Sequence, residues 1–223
     1  MKVLSKMTRF SRAILYFSVI LLAAQIISMI FVDTDVAVGH VAFQIFENLL
    51  MIAVVLLQPV LGKTTGKAIP KAMEIAFVGF CFASLVMGDL FDFYGQFQWW
   101  DMALHVISGI MLGIIGHAII TNIDGIDLNR SLFHLAFEIL WILCFALAAG
   151  AMWEIWEYVT DGIFGLNSQE FLQTSGTFDD TTPLPGRIAL KDTMEDLILD
   201  FVGSFVVAAV VTCNAIVRKL QQE

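Results

Sequence analysis

Three aspartates in the segment KDTMEDLILDFVGS, Asp192, Asp196 and Asp200, recur every fourth residue at the start of a long apolar run. On an α-helix that interval sets their carboxylates on one stripe, one turn apart, with Asp200 about 12 Å further along the axis than Asp192. An ionised carboxylate deep in a bilayer costs about 3 kcal/mol or more unless it is paired, protonated, metal-bound or facing water. Helix-dipole stabilisation accounts for an acid in the first turn, as at Asp192 and Glu195, but not for Asp200. Two further groups have a chemical spacing. Asp101 and His105 stand at i, i+4, which suits two ligands of one metal or a carboxylate that orients an imidazole. Glu154 and Glu157, in WEIWEYVTDG, share another helix face and would repel each other without a partner.

Each of these groups sits at one end of an apolar segment. Six such segments are expected, at about residues 11–32, 38–61, 72–91, 100–120, 131–158 and 191–217, each long enough for the roughly 20 residues that a bilayer requires. The chain is 58% hydrophobic and 15% charged, with a mean hydropathy of +0.81, where a soluble domain would carry about a quarter charged residues. The expected class is an all-α integral membrane protein, a six-transmembrane-helix bundle forming one domain over 1–223. The apolar run 13–32 exceeds the roughly 7–15 residues of a signal-peptide core, so it is expected to be a retained first span.

Basic residues set the expected orientation. In a six-span arrangement, ten of the 12 fall on one side, among them Lys2, Lys6, Arg9, Arg12, Lys63, Lys67, Lys71, Arg130, Arg218 and Lys219, while Arg187 and Lys191 lie opposite. Both termini are then cytoplasmic, and the connection of about 160–190 is extracytoplasmic. Of the 21 acids, 16 belong to the outer half, including Glu47, Asp89, Asp92, Asp161, Asp179 and Asp180. With a net charge of −9, nothing could track a phosphate backbone, which excludes a nucleic-acid partner. Cys81, Cys144 and Cys213 fall singly in apolar runs without a C-x-x-C spacing and read as small buried hydrophobes.

The convergence of acids at the outer ends of spans four to six predicts one pocket. Its expected metal ligands are Asp101, His105, Glu157, Asp192, Asp196 and Asp200, with Glu154 and Asp196 as catalytic carboxylates. Carboxylates with one imidazole suit a divalent cation such as Mg²⁺, Mn²⁺, Ca²⁺ or Zn²⁺. Small residues, Gly109 with Gly113, Ala146 with Gly150, and Gly203 with Ser204, favour close packing of the same spans. A smaller polar set, His117, His134 and Glu138, lies towards the cytoplasmic end; His134 and Glu138, at i, i+4, read as a helix-end ion pair. Asp89, Asp92, Asp161, Asp179 and Asp180 are expected as interfacial or loop acids, and Trp99, Trp100, Trp153 and Trp156 as an aromatic belt.

The order of these motifs, D-x3-H at Asp101–His105, E-x2-E at Glu154–Glu157, then KDTMEDLILDFVGS, resembles the YjdF-like family of bacterial multi-pass inner-membrane proteins over about residues 99–205. The resemblance implies an inner-membrane location and a shared site that includes Asp192, Thr193 and Asp196, rather than a particular reaction. The chain departs from that pattern in the preceding loop, which reads TFDDTTPLPGRIAL in place of a QGD motif.

Three functions fit the residues. The leading one is a metal-dependent hydrolase or transferase acting on a lipid or lipid-linked substrate, with one or two cations in the pocket and the fifth connection as a lid. The second is a cation or proton transporter running from the outer acids to His117, His134 and Glu138; the apolar middles of spans four and five oppose a continuous path. The third is a non-catalytic membrane module stapled by a bound cation.

Overall fold

Thr8 begins the first span because its hydroxyl oxygen accepts from the Ser11 backbone N–H (3.1 Å), capping an orphan donor of the helix N-terminus. In the computed structural model, which describes residues 4, 7–32, 35–64, 70–122, 132–173 and 182–221, seven α-helices follow in order. They are α1 (Arg9–Ser28), α2 (Asp35–Thr64), α3 (Lys71–Phe82), the short α4 (Phe93–Gln96), α5 (Trp100–Thr121), α6 (Leu132–Phe164) and α7 (Lys191–Leu220). Six stretches are long and apolar enough to cross a membrane: Arg9–Phe31, Val38–Val60, Lys71–Leu90, Trp100–Thr121, Leu132–Phe164 and Lys191–Leu220. They match the six expected spans, and the chain is an all-α, multi-pass membrane protein. Many large apolar side chains lie on its surface, as Ile20, Ile30, Met152 and Ile198 do, where lipid rather than water is their natural solvent. Lys2, Lys6, Lys67, Arg130, Asp179 and Asp180 lie outside the described residues, as does the side chain of Lys63.

The helices form two compact units. The first comprises residues 1–100 with Gly162–Leu166. Here α1 and α2 pack through a buried polar knot, in which the Asn48 amide donates to the Ser18 carbonyl (3.0 Å) and to Gln25 Oε1 (2.8 Å). α3 widens into a π-helix over Ala83–Leu90, where the Phe91 N–H reaches back five residues to Val86. The widened turns free a carbonyl at Ala83, which accepts from the Trp100 indole at 3.3 Å.

The second unit comprises residues 101–161 with 167–223 and carries every expected site residue. α5 and α7 meet backbone to backbone. A Cβ on Gly109 would collide with the Asp200 carbonyl, and one on Gly203 with the Val106 carbonyl. The small residues expected from the sequence therefore set the helix separation. Below the site, Ile142, Val207 and Ala208 form a buried apolar layer, flanked by Ile110, Ile139, Leu143 and Val211.

One boundary differs from expectation. α6 runs to Phe164, past the expected end at 158, and within its last turns Thr160 returns its hydroxyl to the Trp156 and Glu157 carbonyls (3.0 and 3.1 Å). Gly165, at φ 68°, then provides the left-handed stop. Among its described residues the connection beyond it is irregular, as expected, with an antiparallel bridge between Leu172 and Pro183.

Candidate metal centre

His105 lies buried on α5, one turn below Asp101, because the i, i+4 interval puts both on the face that meets α7. Asp196 on α7 completes a group in which one ligand atom from each residue lies within 4.8 Å of the others. His105 Nε2 stands 3.7 Å from Asp101 Oδ1 and 3.8 Å from Asp196 Oδ1. Both separations are too long for hydrogen bonds. They approach the roughly 3–3.5 Å between two ligands that each sit about 2.1 Å from one cation. Ligand oxygens of Asp101 and Asp196 lie within the same 4.8 Å group, where two bare carboxylates would repel each other.

Asp200 faces the other side of the imidazole. Its Oδ2 is 3.4 Å from His105 Nδ1, and its Oδ1 meets the Ser108 hydroxyl. Gly150 on α6 leaves the room it needs, since a Cβ there would strike the Asp200 carboxylate. Asp200, expected as a metal ligand, stands at the Nδ1 side of His105, a position from which a carboxylate can fix an imidazole's tautomer and ring orientation.

Glu154 and Glu157 project from α6. Glu157 is half-buried, and its Oε1 accepts from the Trp153 indole at 2.8 Å. Glu154 is only 5% exposed, yet its Oε1 has no hydrogen-bond partner. Its other oxygen accepts a long bond from Gln169 (3.4 Å), whose amide also reaches Thr193 Oγ1 at 3.1 Å. Glu154 stands one turn along α6 from Gly150, whose place against the Asp200 carboxylate brings that face of α6 to the site. The donor set of two carboxylates and one imidazole, beside an orphaned buried carboxylate oxygen, fits a divalent cation.

Three residues join the site without a signal strong enough to single them out. Ser108 is three residues beyond His105 on the same face, a spacing that could have revealed it. Gln169 comes from the connection after α6, where no periodicity operates. Asp161, expected at an interface or in a loop, is buried and accepts from the backbone N–H groups of Ser168 (2.9 Å) and Gln169 (3.1 Å). It thereby ties the strap that carries Gln169 over Glu154.

The second polar set lies elsewhere in the same unit. Glu138 Oε1 is 2.6 Å from His117 Nδ1, and Trp141 donates to the Gly116 carbonyl at 2.9 Å. The apolar layer around Ile142 occupies the intervening turns of α6. In the first unit, Oδ2 of Asp89 is likewise buried without a hydrogen-bond partner.

Fold and site together define a multi-pass helical membrane protein with a buried carboxylate–histidine cluster. The family described as "Predicted membrane protein (DUF2238)" matches residues 13–215, and the chain belongs to that family. A protein of Thermotoga maritima, described as "Uncharacterized protein", is 26% identical over 150 residues. That match covers 67% of this chain and 66% of the relative, so the chain spans just under two thirds of the relative's length. No solved structure gives a significant match.

Proposed function

We propose that the chain binds a divalent cation through Asp101, His105 and Asp196, and uses the centre as a hydrolase or transferase on a lipid or lipid-linked substrate. The observation that carries this reading is the pairing of a three-residue ligand group with a buried Glu154 oxygen that nothing in the protein satisfies. A divalent cation held there supplies Lewis acidity towards a phosphoryl or acyl oxygen. Asp200 and Ser108 hold the imidazole in register. Glu154 is the group to take a proton from an attacking water or hydroxyl, with Thr193 and Gln169 steadying its carboxylate. The apolar layer of Ile142, Val207 and Ala208 supports chemistry at one membrane face over passage through the protein.

A lipid substrate follows from the surroundings. Met102, Ile155, Met194 and Ile198 are exposed on the site-bearing helices, so an acyl chain could lie along them while a polar headgroup enters. The distribution of basic residues assigns this end to the extracytoplasmic side, with both termini cytoplasmic.

The test uses the full chain in detergent or nanodiscs, titrated with Mn²⁺ and followed by electron paramagnetic resonance. Headgroup or phosphate release is measured in parallel from a panel of phospholipids and polyprenyl phosphates. Wild-type protein should bind Mn²⁺ and turn over at least one substrate, and His105→Ala should lose both. Equal Mn²⁺ binding by wild type and His105→Ala would remove the proposed centre.

A further inference from the structure

We propose that Asp161 is a positioning residue that acts on Glu154 through Gln169. Its carboxylate holds the strap after α6 so that the Gln169 amide covers Glu154 Oε2 and leaves Oε1 to receive a proton. The inference rests on the reading of Glu154 as the base and adds what orients it.

Gly150, Glu154 and Asp161 follow one another along one face of α6, at intervals of four and seven residues, and all three are buried. The chain after α6 returns to that face. Asp161 Oδ1 accepts from the Ser168 N–H at 2.9 Å and Oδ2 from the Gln169 N–H at 3.1 Å, so both oxygens are committed to the strap. The strap is itself a tight turn. The Glu170 N–H donates to the Asn167 carbonyl (3.1 Å), and the Leu172 N–H to Asn167 Oδ1 (2.9 Å). Glu170 sits at φ 46°, a left-handed conformation that a residue with a side chain keeps only where its surroundings enforce it.

Gln169 joins the two acids. Its backbone is held by Asp161, and its side chain lies on Glu154. The two hydrogens of its amide meet three acceptors: Thr193 Oγ1 at 3.1 Å, Glu154 Oε2 at 3.4 Å and the Glu154 carbonyl at 3.4 Å. The bonds to Glu154 are long, so they hold only while the backbone of Gln169 stays where Asp161 sets it. Glu154 Oε1 meets no protein donor. One oxygen of the base is thus covered and the other is left for the hydrogen of an attacking water or hydroxyl. An acid that merely closed the end of α6 could grip any loop amide; the two that Asp161 grips are those that aim Gln169.

The test labels the full-length protein in detergent with dicyclohexylcarbodiimide, which attacks carboxyls in apolar surroundings, and locates the labels by peptide mass spectrometry. Glu154 should react about 10-fold faster in Gln169→Leu and in Asp161→Ala than in wild type, the scale of one lost hydrogen bond. The double variant should react no faster than either single one, because Asp161 reaches Glu154 only through Gln169. Glu138, elsewhere in the same unit, reports folding and should label at the wild-type rate throughout. On any substrate that wild type turns over, each single variant should lower kcat about 10- to 100-fold with KM and Mn²⁺ affinity unchanged. Additive effects of the two substitutions would overturn the inference. So would wild-type labelling of Glu154 in Gln169→Leu, a variant that leaves the clasp intact and decides the matter even where Asp161→Ala does not fold. Absence of turnover by wild type would remove the reading of Glu154 as a base, while the labelling rates still decide whether Asp161 acts through Gln169.

Discussion

Glu74 in the first unit and Glu154 in the second are both buried glutamates on membrane-length helices, 6% and 5% exposed. Their surroundings differ. Oε1 of Glu74 accepts from the Thr8 backbone N–H (2.8 Å), the Thr8 hydroxyl (3.0 Å) and the Ser11 hydroxyl (2.5 Å), all from the start of α1. Oε1 of Glu154 accepts from nothing. Glu74 is a structural clamp whose charge also favours the positive end of the α1 dipole. Burial alone therefore does not mark a functional acid in this protein. What separates Glu74 from Glu154 is the supply of protein donors, and Asp89 of the first unit likewise has a buried oxygen without one.

The comparison can be broken at three points. The largest effect is expected from removing a ligand. His105→Ala or Asp196→Asn should weaken Mn²⁺ binding by about 100-fold or more, beyond what loss of an outer partner costs. Isothermal titration calorimetry reads this directly, and an unchanged affinity would mean that the second unit's acids are satisfied some other way. A smaller loss is expected for Asp200→Asn, on the order of 10- to 100-fold. That carboxamide can hydrogen-bond to Nδ1 but cannot hold the imidazole as a carboxylate does. Restoration by Asp200→Glu is not expected, because Gly150 leaves no room for a longer side chain to keep the same contact.

The smallest effect belongs to the first unit. Glu74→Gln should cost about 1 kcal/mol of unfolding free energy, the difference between charged and neutral hydrogen bonds, with Mn²⁺ affinity unchanged. A thermal melt with and without Mn²⁺ separates the two quantities. A shift in affinity on this substitution would end the distinction between clamp and site.

Much of this was legible in the amino-acid order. Runs of about 20 apolar residues have few fates, so the spans follow directly. The Asp101–His105 pair is legible because i, i+4 is a local geometric constraint, and the stripe of Asp196 and Asp200 is legible for the same reason. The place of Asp200 behind the imidazole was not. It depends on how α5 and α7 are rotated against each other, which sets Asp196 at Nε2 and Asp200 at Nδ1, and on the gap that Gly150 leaves. Gln169 was hidden because its reach comes from Asp161 gripping two backbone N–H groups several residues away. The π-helical turns at Ala83–Leu90 leave no periodic signal of their own, and Trp100 and Tyr94, which contact Ala83 and Ser84, lie 10 or more residues away from them.

The seam between α5 and α7 has a calorimetric consequence. Gly109 and Gly203 let the two backbones meet directly, so glycine packing itself fixes the spacing of the helices that carry Asp101, His105 and Asp196. Loading the site should then bury little apolar surface and order few side chains. A heat-capacity change close to zero is the expected signature, and a large negative value would reveal helices that come together only on binding.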